Sequence, residues 1–294
     1  MVVEPLRIVV TGAAGQVGGE LLQSLAPLGE VLAPTRAEMD LADPASIQTY
    51  LRKTKPHWIV NPAAYTAVDK AESEPELAHA INGEAPGIIG REAAALNAKV
   101  IHFSTDYVFN GQGTTPWVET DPTGPLGVYG ATKLAGEQAL LASGAEAVIL
   151  RTSWVYGATG KNFLRTILNL SKVRDELRIV GDQHGAPTWS RDLAQLSAHI
   201  IHTMAQKLTS GIYHAAGGGE TTWAGFAEEA VRLTQTRFPE AKLAKITPIP
   251  SIEYPTPAAR PSNSRMNCTR LNQTFGYTML DWQNSLAQVL AELP

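Results

Sequence analysis

The sequence predicts an α/β fold in which helices cover both faces of a parallel sheet. Short apolar runs alternate with longer segments of helical spacing, as expected for repeated strand–helix–strand units. A glycine-rich turn joins the first apolar run to the first helical segment. The chain has 294 residues and is 44% hydrophobic but only 18% charged, so it can bury a sizeable core.

The first half of the chain contains the strongest strand and helix patterns. Asp43 is expected to cap the second helix, with Pro44 as its first residue. Right-handed crossovers between such units give a doubly wound Rossmann-type sheet. The predicted strands are Leu6–Val10, Val31–Ala33, Trp58–Val60, Val100–Phe103 and Ala147–Leu150. The predicted helices are Val17–Leu28, Pro44–Lys53, Tyr129–Leu141 and a long helical pattern over Glu74–Leu96, which Gly83, Pro86 and Gly87 interrupt.

The second half has a more mixed pattern and predicts a smaller C-terminal substrate-binding lobe. Five prolines between residues 248 and 261 require extended or turning backbone there. We expect a dinucleotide-binding domain over residues 1–150 and mainly the lobe over 151–294, with elements near 176–215 able to return to the main sheet. The predicted elements are helices at Asn162–Lys172, Trp189–Gln206 and Thr222–Thr234, a strand at Gly211–His214, and a last helix from the cap Asp281 to Leu293.

The glycine-rich turn predicts a dinucleotide site. Gly12, Gly15 and Gly18 follow the first strand and open the first helix. Glycine permits positive φ and lacks the Cβ that would block a pyrophosphate, while the helix N-terminus offers free N–H groups. A tight strand–helix turn without a ligand is the alternative. The position between a strand and a helix favours cofactor binding.

The end of the second strand bears on the choice of cofactor. Dinucleotide folds that bind NAD place an acidic residue here, whereas this chain has Arg36, whose guanidinium suits a 2′-phosphate. Arg36 therefore favours NADPH over NADH, and a solvated loop charge is the alternative. Asp40 and Leu41 follow in the next loop, where a contact to adenine and a role in helix entry are both left open.

A tyrosine and a lysine four residues apart predict the catalytic chemistry. Tyr129 and Lys133 lie one turn apart on one face of a predicted helix. A nearby ammonium stabilises phenolate, and we expect it to bring the pKa of the tyrosine toward the working range. Tyr129 could then protonate a carbonyl oxygen as hydride reaches the carbon. Thr105 ends the preceding strand, at the sheet edge where ligands bind, and could donate to the same oxygen.

Composition excludes several classes of function. The net charge of −4 does not predict a nucleic-acid or membrane-surface binder. Cys268 is the single cysteine of the sequence, so no intrachain disulfide or cysteine metal cluster can form. A reduced cytoplasmic location is the default expectation from this cysteine usage. No apolar run approaches the length that a membrane helix needs.

Several segments together resemble one family, the dTDP-4-dehydrorhamnose reductases, which are extended short-chain dehydrogenase/reductases. They extend over almost the whole chain, and the STDYVF, VYGATKLAGE and RTSWVYG segments are specific to that branch. The matching segments are Thr11–Gly18, Asn61–Glu72, Ser104–Phe109, Val128–Glu137, Arg151–Gly157, Asp182–Thr188, Thr256–Ser264 and Asp281–Trp282.

The resemblance implies reduction of the 4-keto group of dTDP-4-dehydro-L-rhamnose to dTDP-L-rhamnose, the last step of dTDP-rhamnose formation, with NADPH as hydride source. By the family's pattern, Thr105, Tyr129 and Lys133 are catalytic, and Asp106 and Trp154 touch the sugar. The cofactor residues that the pattern adds are Gly15, Gln16 and Val17 at the pyrophosphate and Ala64, Tyr65 and Thr66 along the cofactor.

Three further polar residues are candidates for supporting roles. Arg260 and Asn263 lie in a Pro-flanked turn that could hold the nucleotide phosphates, because an arginine fork suits diphosphate. A surface charge is the alternative for Arg260. Asn82, in the long predicted helix, is expected either to support the active site or to make a polar contact inside the helix.

The chain departs from family members that join subunits through magnesium. Glu20 and Glu292 match acidic positions of that arrangement, but the segment at residues 189–192 reads Trp-Ser-Arg-Asp and lacks the acidic pattern. We therefore predict no metal-ligating residues. The sequence leaves open whether Mg²⁺ or a homodimer has any role.

Other functions remain as alternatives. A dehydratase needs an Asp–Glu pair directly after the threonine, but Thr105 is followed by Asp106 and Tyr107, which argues against dehydration. Reduction of another nucleotide sugar is a second alternative. A regulatory subunit that binds cofactor without turnover is a third, because the Tyr–Lys motif does not discriminate against it.

Overall fold

Six parallel strands form the central sheet of the computed structural model, which describes residues 5–293. Their order across the sheet is β10-β5-β4-β3-β1-β2, a doubly wound arrangement that confirms the predicted fold class. The sheet strands are β1 (Arg7–Val10), β2 (Glu30–Leu32), β3 (Trp58–Asn61), β4 (Lys99–Thr105), β5 (Glu146–Thr152) and β10 (Gly211–His214). The remaining strands are β6 (Val155–Tyr156), β7 (Glu176–Val180), β8 (His184–Gly185), β9 (Thr188–Trp189), β11 (Thr221–Thr222) and β12 (Lys245–Ile249).

Helices cover both faces of this sheet. The helices are α1 (Gln16–Leu25), α2 (Pro44–Thr54), α3 (Val68–Ala71), α4 (Pro75–His79), α5 (Ala85–Leu96), α6 (Val128–Leu141), α7 (Phe163–Ser171), α8 (Ser190–Thr203), α9 (Trp223–Arg237), α10 (Thr269–Phe275) and α11 (Trp282–Glu292). As predicted, the Asp43 carboxylate caps α2 by accepting from the Ala45 amide. None of the helices within residues 5–293 combines the length and apolar character needed to cross a membrane.

Successive side chains along each strand point to opposite faces of the sheet and pack in two separate hydrophobic cores. Val148 and Leu150 of β5 pack with α1 and α8 on one face, whereas Ile149 packs with α2 and α5 on the other. All three side chains are fully buried. A parallel strand covered on both faces must be apolar at every position, which explains the short unbroken apolar runs in the sequence.

The chain after β5 builds a second group of elements and also returns to the sheet. β10 pairs in parallel with β5 and becomes the edge strand. β7 and β12 form a separate parallel pair, on which α7 and α9 pack through Ile167, Ala224 and Ala227. The predicted limits at residues 1 and 294 lie outside the described residues.

The long helix predicted over Glu74–Leu96 is divided in the structure. A π-helical segment at Ala80–Glu84 separates α4 from α5. Pro86 has no backbone N–H to continue the regular ladder, and such wide turns frequently occur at functional sites. The side chain of Asn82, inside this segment, bonds both backbone groups of Tyr65, with its Oδ1 2.8 Å from the amide and its Nδ2 3.0 Å from the carbonyl.

Candidate active site

A cleft of about 590 Å³ opens at the carboxyl ends of the sheet strands. This is the edge at which ligands bind in open α/β sheets. Its wall combines the glycine turn, the segment after β3, the end of β4, α6 and the segment after β5. The predicted site residues in this wall are Gly12, Gly15, Gln16, Val17, Gly18, Ala64, Thr66, Thr105, Asp106, Tyr129, Lys133 and Trp154.

The glycine turn has the geometry of an anion cradle. Gly12 has φ +59°, and a Cβ there would lie 2.9 Å from the Cβ of Ala63. A Cβ on Gly18 would lie 2.1 Å from the Gly12 carbonyl oxygen. Gly15 caps α1 without a side-chain hydrogen bond, so the first N–H groups of the helix have no capping side chain. These residues fit a dinucleotide pyrophosphate.

Thr105 and Tyr129 meet at the bottom of this cleft. Thr105 is the last residue of β4, and its hydroxyl hydrogen-bonds the Tyr129 phenol. The start of α6 approaches the end of β4 closely, since a Cβ on Gly130 would lie 2.2 Å from the Tyr107 carbonyl oxygen. Tyr107 also packs edge-to-face on Tyr129, with ring centroids 5.4 Å apart. The phenol is therefore held in a fixed orientation.

The pKa of Tyr129 is shifted in the direction opposite to the one expected from the sequence. Burial raises the pKa of the phenol well above its ordinary value, and the neighbouring Asp106 carboxylate raises it further. The hydrogen bond with Thr105 opposes this only in part. The spacing of Tyr129 and Lys133 did not reveal how deeply the phenol is buried. A phenol that keeps its proton at neutral pH is the form that a proton donor requires.

Lys133 is buried beneath the cleft with its charge poorly solvated. Its Nζ donates to the Phe103 carbonyl at 2.6 Å and lies 3.3 Å from Nε2 of His102. Burial lowers the pKa of Lys133 to about 8, although Glu137 opposes the shift. The lysine is therefore mainly ammonium at neutral pH and loses its charge on mild alkalinisation.

Asp106 and Trp154 line the cleft and contact Ser264 and Trp223, respectively, from the C-terminal half of the chain. Burial raises the pKa of Asp106 to about 6, and its Oδ1 accepts from the Thr105 hydroxyl at 3.1 Å. Trp154 has φ +49°, an uncommon conformation for a bulky residue. It stacks on Trp223 with ring centroids 3.8 Å apart, and Gly185 leaves room for its indole. Trp154 is thus fixed as a flat apolar wall.

Three predicted cofactor residues lie outside the described lining of the cleft. Arg36 donates to Asp40 at 3.3 Å, and its side chain is 74% exposed. Asp40 accepts from the Ala42 amide, as a residue at the entry of α2 would. Leu41 packs against the core that contains α2 and α5. Their cofactor contacts remain predictions, and the guanidinium of Arg36 remains accessible to a phosphate.

Tyr65, Arg260 and Asn263 also lie outside that lining. The Tyr65 phenol donates to Glu74 at 2.7 Å. Arg260 pairs with Asp69 at 2.7 Å and contacts the Tyr107 hydroxyl, which places it next to the cleft wall. The Asn263 amide is buried and donates to the Thr115 carbonyl at 2.8 Å. The structure therefore brings Arg260 near the cleft but uses the Asn263 side chain to hold loops together.

Comparison with known proteins identifies the family. The family model described as the RmlD substrate binding domain matches residues 6–294. A dTDP-4-dehydrorhamnose reductase of Burkholderia thailandensis is 44% identical, over 98% of this chain and 99% of that protein. One of Shigella flexneri is 45% identical, over 98% of both.

The chain belongs to the dTDP-4-dehydrorhamnose reductase family. Solved structures agree with this assignment. A dTDP-4-dehydrorhamnose reductase of Clostridium acetobutylicum superposes with a TM-score of 0.91 at 35% identity, covering 97% of this chain and 99% of that one. One of Bacillus anthracis in complex with NADP superposes with a TM-score of 0.88 at 33% identity, covering 99% and 100%.

The acidic positions singled out in this reductase-family chain face an arginine. Arg191 donates to Glu20 of α1 at 2.8 Å and also pairs with Glu292 of α11. Its guanidinium packs over the Trp189 ring at 4.8 Å. Because Arg191 already neutralises both carboxylates, this cluster does not fit a divalent metal. Within residues 5–293, no group of three or more His, Cys, Asp or Glu side chains could hold a metal ion.

Some cleft residues were not singled out from the sequence. Thr152 and Ser153 belong to the RTSWVYG segment, which the resemblance covered, but only Trp154 was selected from it. Lys161 also lines the cleft, and no sequence signal pointed to it. His102, beneath Lys133, lies in the middle of an apolar strand. Only the tertiary contact between β4 and α6 gives His102 a functional context.

Proposed function

We propose that this chain reduces the 4-keto group of dTDP-4-dehydro-L-rhamnose to dTDP-L-rhamnose with NADPH as cofactor. The observation that carries the proposal is that Thr105, Tyr129 and Lys133 line the same cleft as the glycine turn. A full-length likeness to dTDP-4-dehydrorhamnose reductases supports the choice of substrate.

The chain's own residues account for the proton chemistry. NADPH, when bound along the glycine turn, supplies the hydride. Tyr129 holds its proton until negative charge develops on the keto oxygen, and then donates it. The Thr105 hydroxyl, which donates to Asp106 in the free protein, would turn its proton to the same oxygen and stabilise it. The Lys133 ammonium stabilises the phenolate that Tyr129 leaves behind.

The substrate is proposed to lie between the cofactor and the second lobe. Trp154 offers an apolar face to the sugar. Asp106 offers the sugar a hydrogen-bonding carboxyl group. Arg260 contacts Tyr107, whose side chain lines the cleft. Its guanidinium could reach the diphosphate by releasing Asp69. We accordingly assign cofactor binding mainly to residues 1–150 and nucleotide-sugar binding mainly to the lobe after residue 151.

NADPH is proposed over NADH because of Arg36. The guanidinium is exposed after β2, where a 2′-phosphate would need a cation. The structurally similar reductase of Bacillus anthracis was solved with NADP. Arg36→Ala should raise the KM for NADPH and leave that for NADH unchanged, if the residue has this role.

Purified protein tests the function directly. Loss of NADPH absorbance should depend on dTDP-4-dehydro-L-rhamnose, and the product should be dTDP-L-rhamnose by NMR. Cofactor binding without turnover would instead support a regulatory subunit. Turnover of another nucleotide sugar, but not of this one, would show that the chain is a related reductase with a different substrate.

The pH dependence of the rate follows from the pKa of Lys133. This pKa is depressed from 10.5 to about 8, so the ammonium is present at neutral pH and is lost as the pH rises through about 8. We expect kcat/KM to fall above this value, by about tenfold per pH unit at the limit. The profile should be measured with stability monitored in parallel. A rate that stays constant up to pH 10 would show that the charge of Lys133 is not required.

A further inference from the structure

A line of four buried polar side chains connects the glycine turn to Lys133. The Thr11 hydroxyl donates to Asn61 Oδ1 at 2.6 Å, and Asn61 Nδ2 lies 3.0 Å from Nδ1 of His102. The other ring nitrogen of His102 lies 3.3 Å from Lys133 Nζ. Each of the four residues is at most 3% exposed. They come from the ends of β1 and β3, from β4 and from α6, so the line crosses the sheet beneath the cleft.

The hydrogen bonds along this line determine where the imidazole carries its proton. Thr11 donates to the Asn61 oxygen while its own oxygen accepts from the Ala63 amide at 3.2 Å. The Asn61 amide nitrogen is therefore the group that faces His102, and it can only donate. In this arrangement Nδ1 of His102 accepts from the Asn61 amide and is the unprotonated nitrogen. A neutral imidazole with a bare Nδ1 carries its proton on Nε2, toward Lys133.

The charges around this contact keep the imidazole neutral. Burial and the Lys133 charge hold the pKa of His102 well below its ordinary value, although a hydrogen bond to the Asn61 backbone opposes them in part. The other ionisable groups near Lys133 are Tyr129, one turn earlier on α6, and Glu137, one turn later. Glu137 already accepts two hydrogen bonds from Arg151 of β5, one from Nε and one from Nη2. Asn61 and Thr11, on the far side of the imidazole, do not titrate.

A neutral His102 with its proton on Nε2 places two donors opposite each other when Lys133 is an ammonium. The amine form of Lys133 has a lone pair and could accept this N–H, whereas the ammonium has none. The contact of 3.3 Å is long beside the 2.6 Å bond from Lys133 to Phe103. His102 therefore favours the amine over the ammonium, in addition to the effect of burial.

We propose that His102 is a positioning residue for Lys133: Thr11 and Asn61 hold its ring in the form with the proton on Nε2, and this N–H opposes the charged form of the lysine. The effect on turnover rests on the proposed function. The protonation of the two side chains does not, because it can be measured in the free protein.

Asn61→Asp reverses the direction of the hydrogen bond between residue 61 and His102, and the new side chain has nearly the same shape. One carboxylate oxygen can still accept from Thr11, and the other can now accept from His102. The imidazole proton is then drawn to Nδ1, and the bare Nε2 accepts from the Lys133 ammonium. We expect the pKa of Lys133 to rise by roughly one unit or more. The alkaline limb of kcat/KM should move by the same amount.

Two NMR measurements on the free protein test the proposal. The side-chain carbon signal of Lys133, assigned by its loss in Lys133→Met, reports the titration. The ring nitrogen shifts of His102, assigned with His102→Gln, report which nitrogen carries the proton. Above the Lys133 titration, the wild-type proton should be on Nε2. A proton on Nδ1 would overturn the proposal even if the Asn61→Asp protein does not fold.

The double variant Asn61→Asp/His102→Phe separates the tautomer from the direct effect of the new carboxylate. Without the imidazole, the carboxylate can act only through space, so most of the Lys133 shift seen in Asn61→Asp should disappear. Persistence of the full shift would contradict a role for His102. A protein that shows the expected NMR titrations but reduces no dTDP-sugar would contradict the proposed function and leave this inference intact.

Discussion

Tyr129→Phe is expected to lower kcat by about 10²–10⁴-fold, the range typical of a lost general acid. The Tyr129 phenol lines the cleft and keeps its proton at neutral pH, because burial and Asp106 both raise its pKa. Phenylalanine keeps the ring contact with Tyr107 and should leave the cleft wall in place. Steady-state kinetics with dTDP-4-dehydro-L-rhamnose measure kcat, and a fluorescence titration measures NADPH affinity.

NADPH affinity should change little in this variant, because the cradle of the glycine turn is untouched. Tyr156→Phe is the matched control. Its phenol is buried, and its oxygen has no hydrogen-bond partner among the described residues, so removing the oxygen should not reduce the rate. A Tyr129→Phe protein with a near-wild-type rate would show that the proton donor is a different group.

Arg151→Ala is expected to produce the largest loss of stability, about 3–5 kcal/mol, because it leaves a buried carboxylate without its partner. Arg151 binds Glu137 through two bonds of 2.9 and 2.7 Å, and the two side chains are 3% and 1% exposed. The guanidinium also packs over the Phe109 ring at 5.0 Å. The pair joins β5 to α6, the helix that carries Tyr129 and Lys133. Urea unfolding measures the change in free energy.

The double variant Arg151→Met/Glu137→Leu distinguishes an uncompensated charge from lost packing. Replacing both partners by apolar residues of similar size should recover most of the stability. Lys242→Ala removes a fully exposed ion pair with Asp175 and should leave the unfolding midpoint unchanged. If the double variant were as unstable as Arg151→Ala, the loss would come from packing and not from the unpaired Glu137.

Prediction from sequence succeeded where the deciding forces act over a few residues. The glycine turn could be predicted because glycine adopts the positive φ of Gly12 without strain and has no Cβ to clash at the close approach of Gly18. Asp43 caps α2 because its carboxylate reaches an amide two residues away. The interruptions in the pattern over Glu74–Leu96 did not predict the π-helical segment at residues 80–84, where Asn82 bonds a loop 17 residues earlier in the chain.

The amino-acid order by itself therefore determined the alternation of strands and helices, the cofactor cradle, and the placement of Tyr129 and Lys133 on one face of a helix. Tertiary structure alone decided the environment of these groups. The raised pKa of Tyr129, the contact of His102 with Lys133 and the pairing of Arg191 with Glu20 all depend on residues distant in sequence. Burial and charge act through space, so no local pattern encodes them.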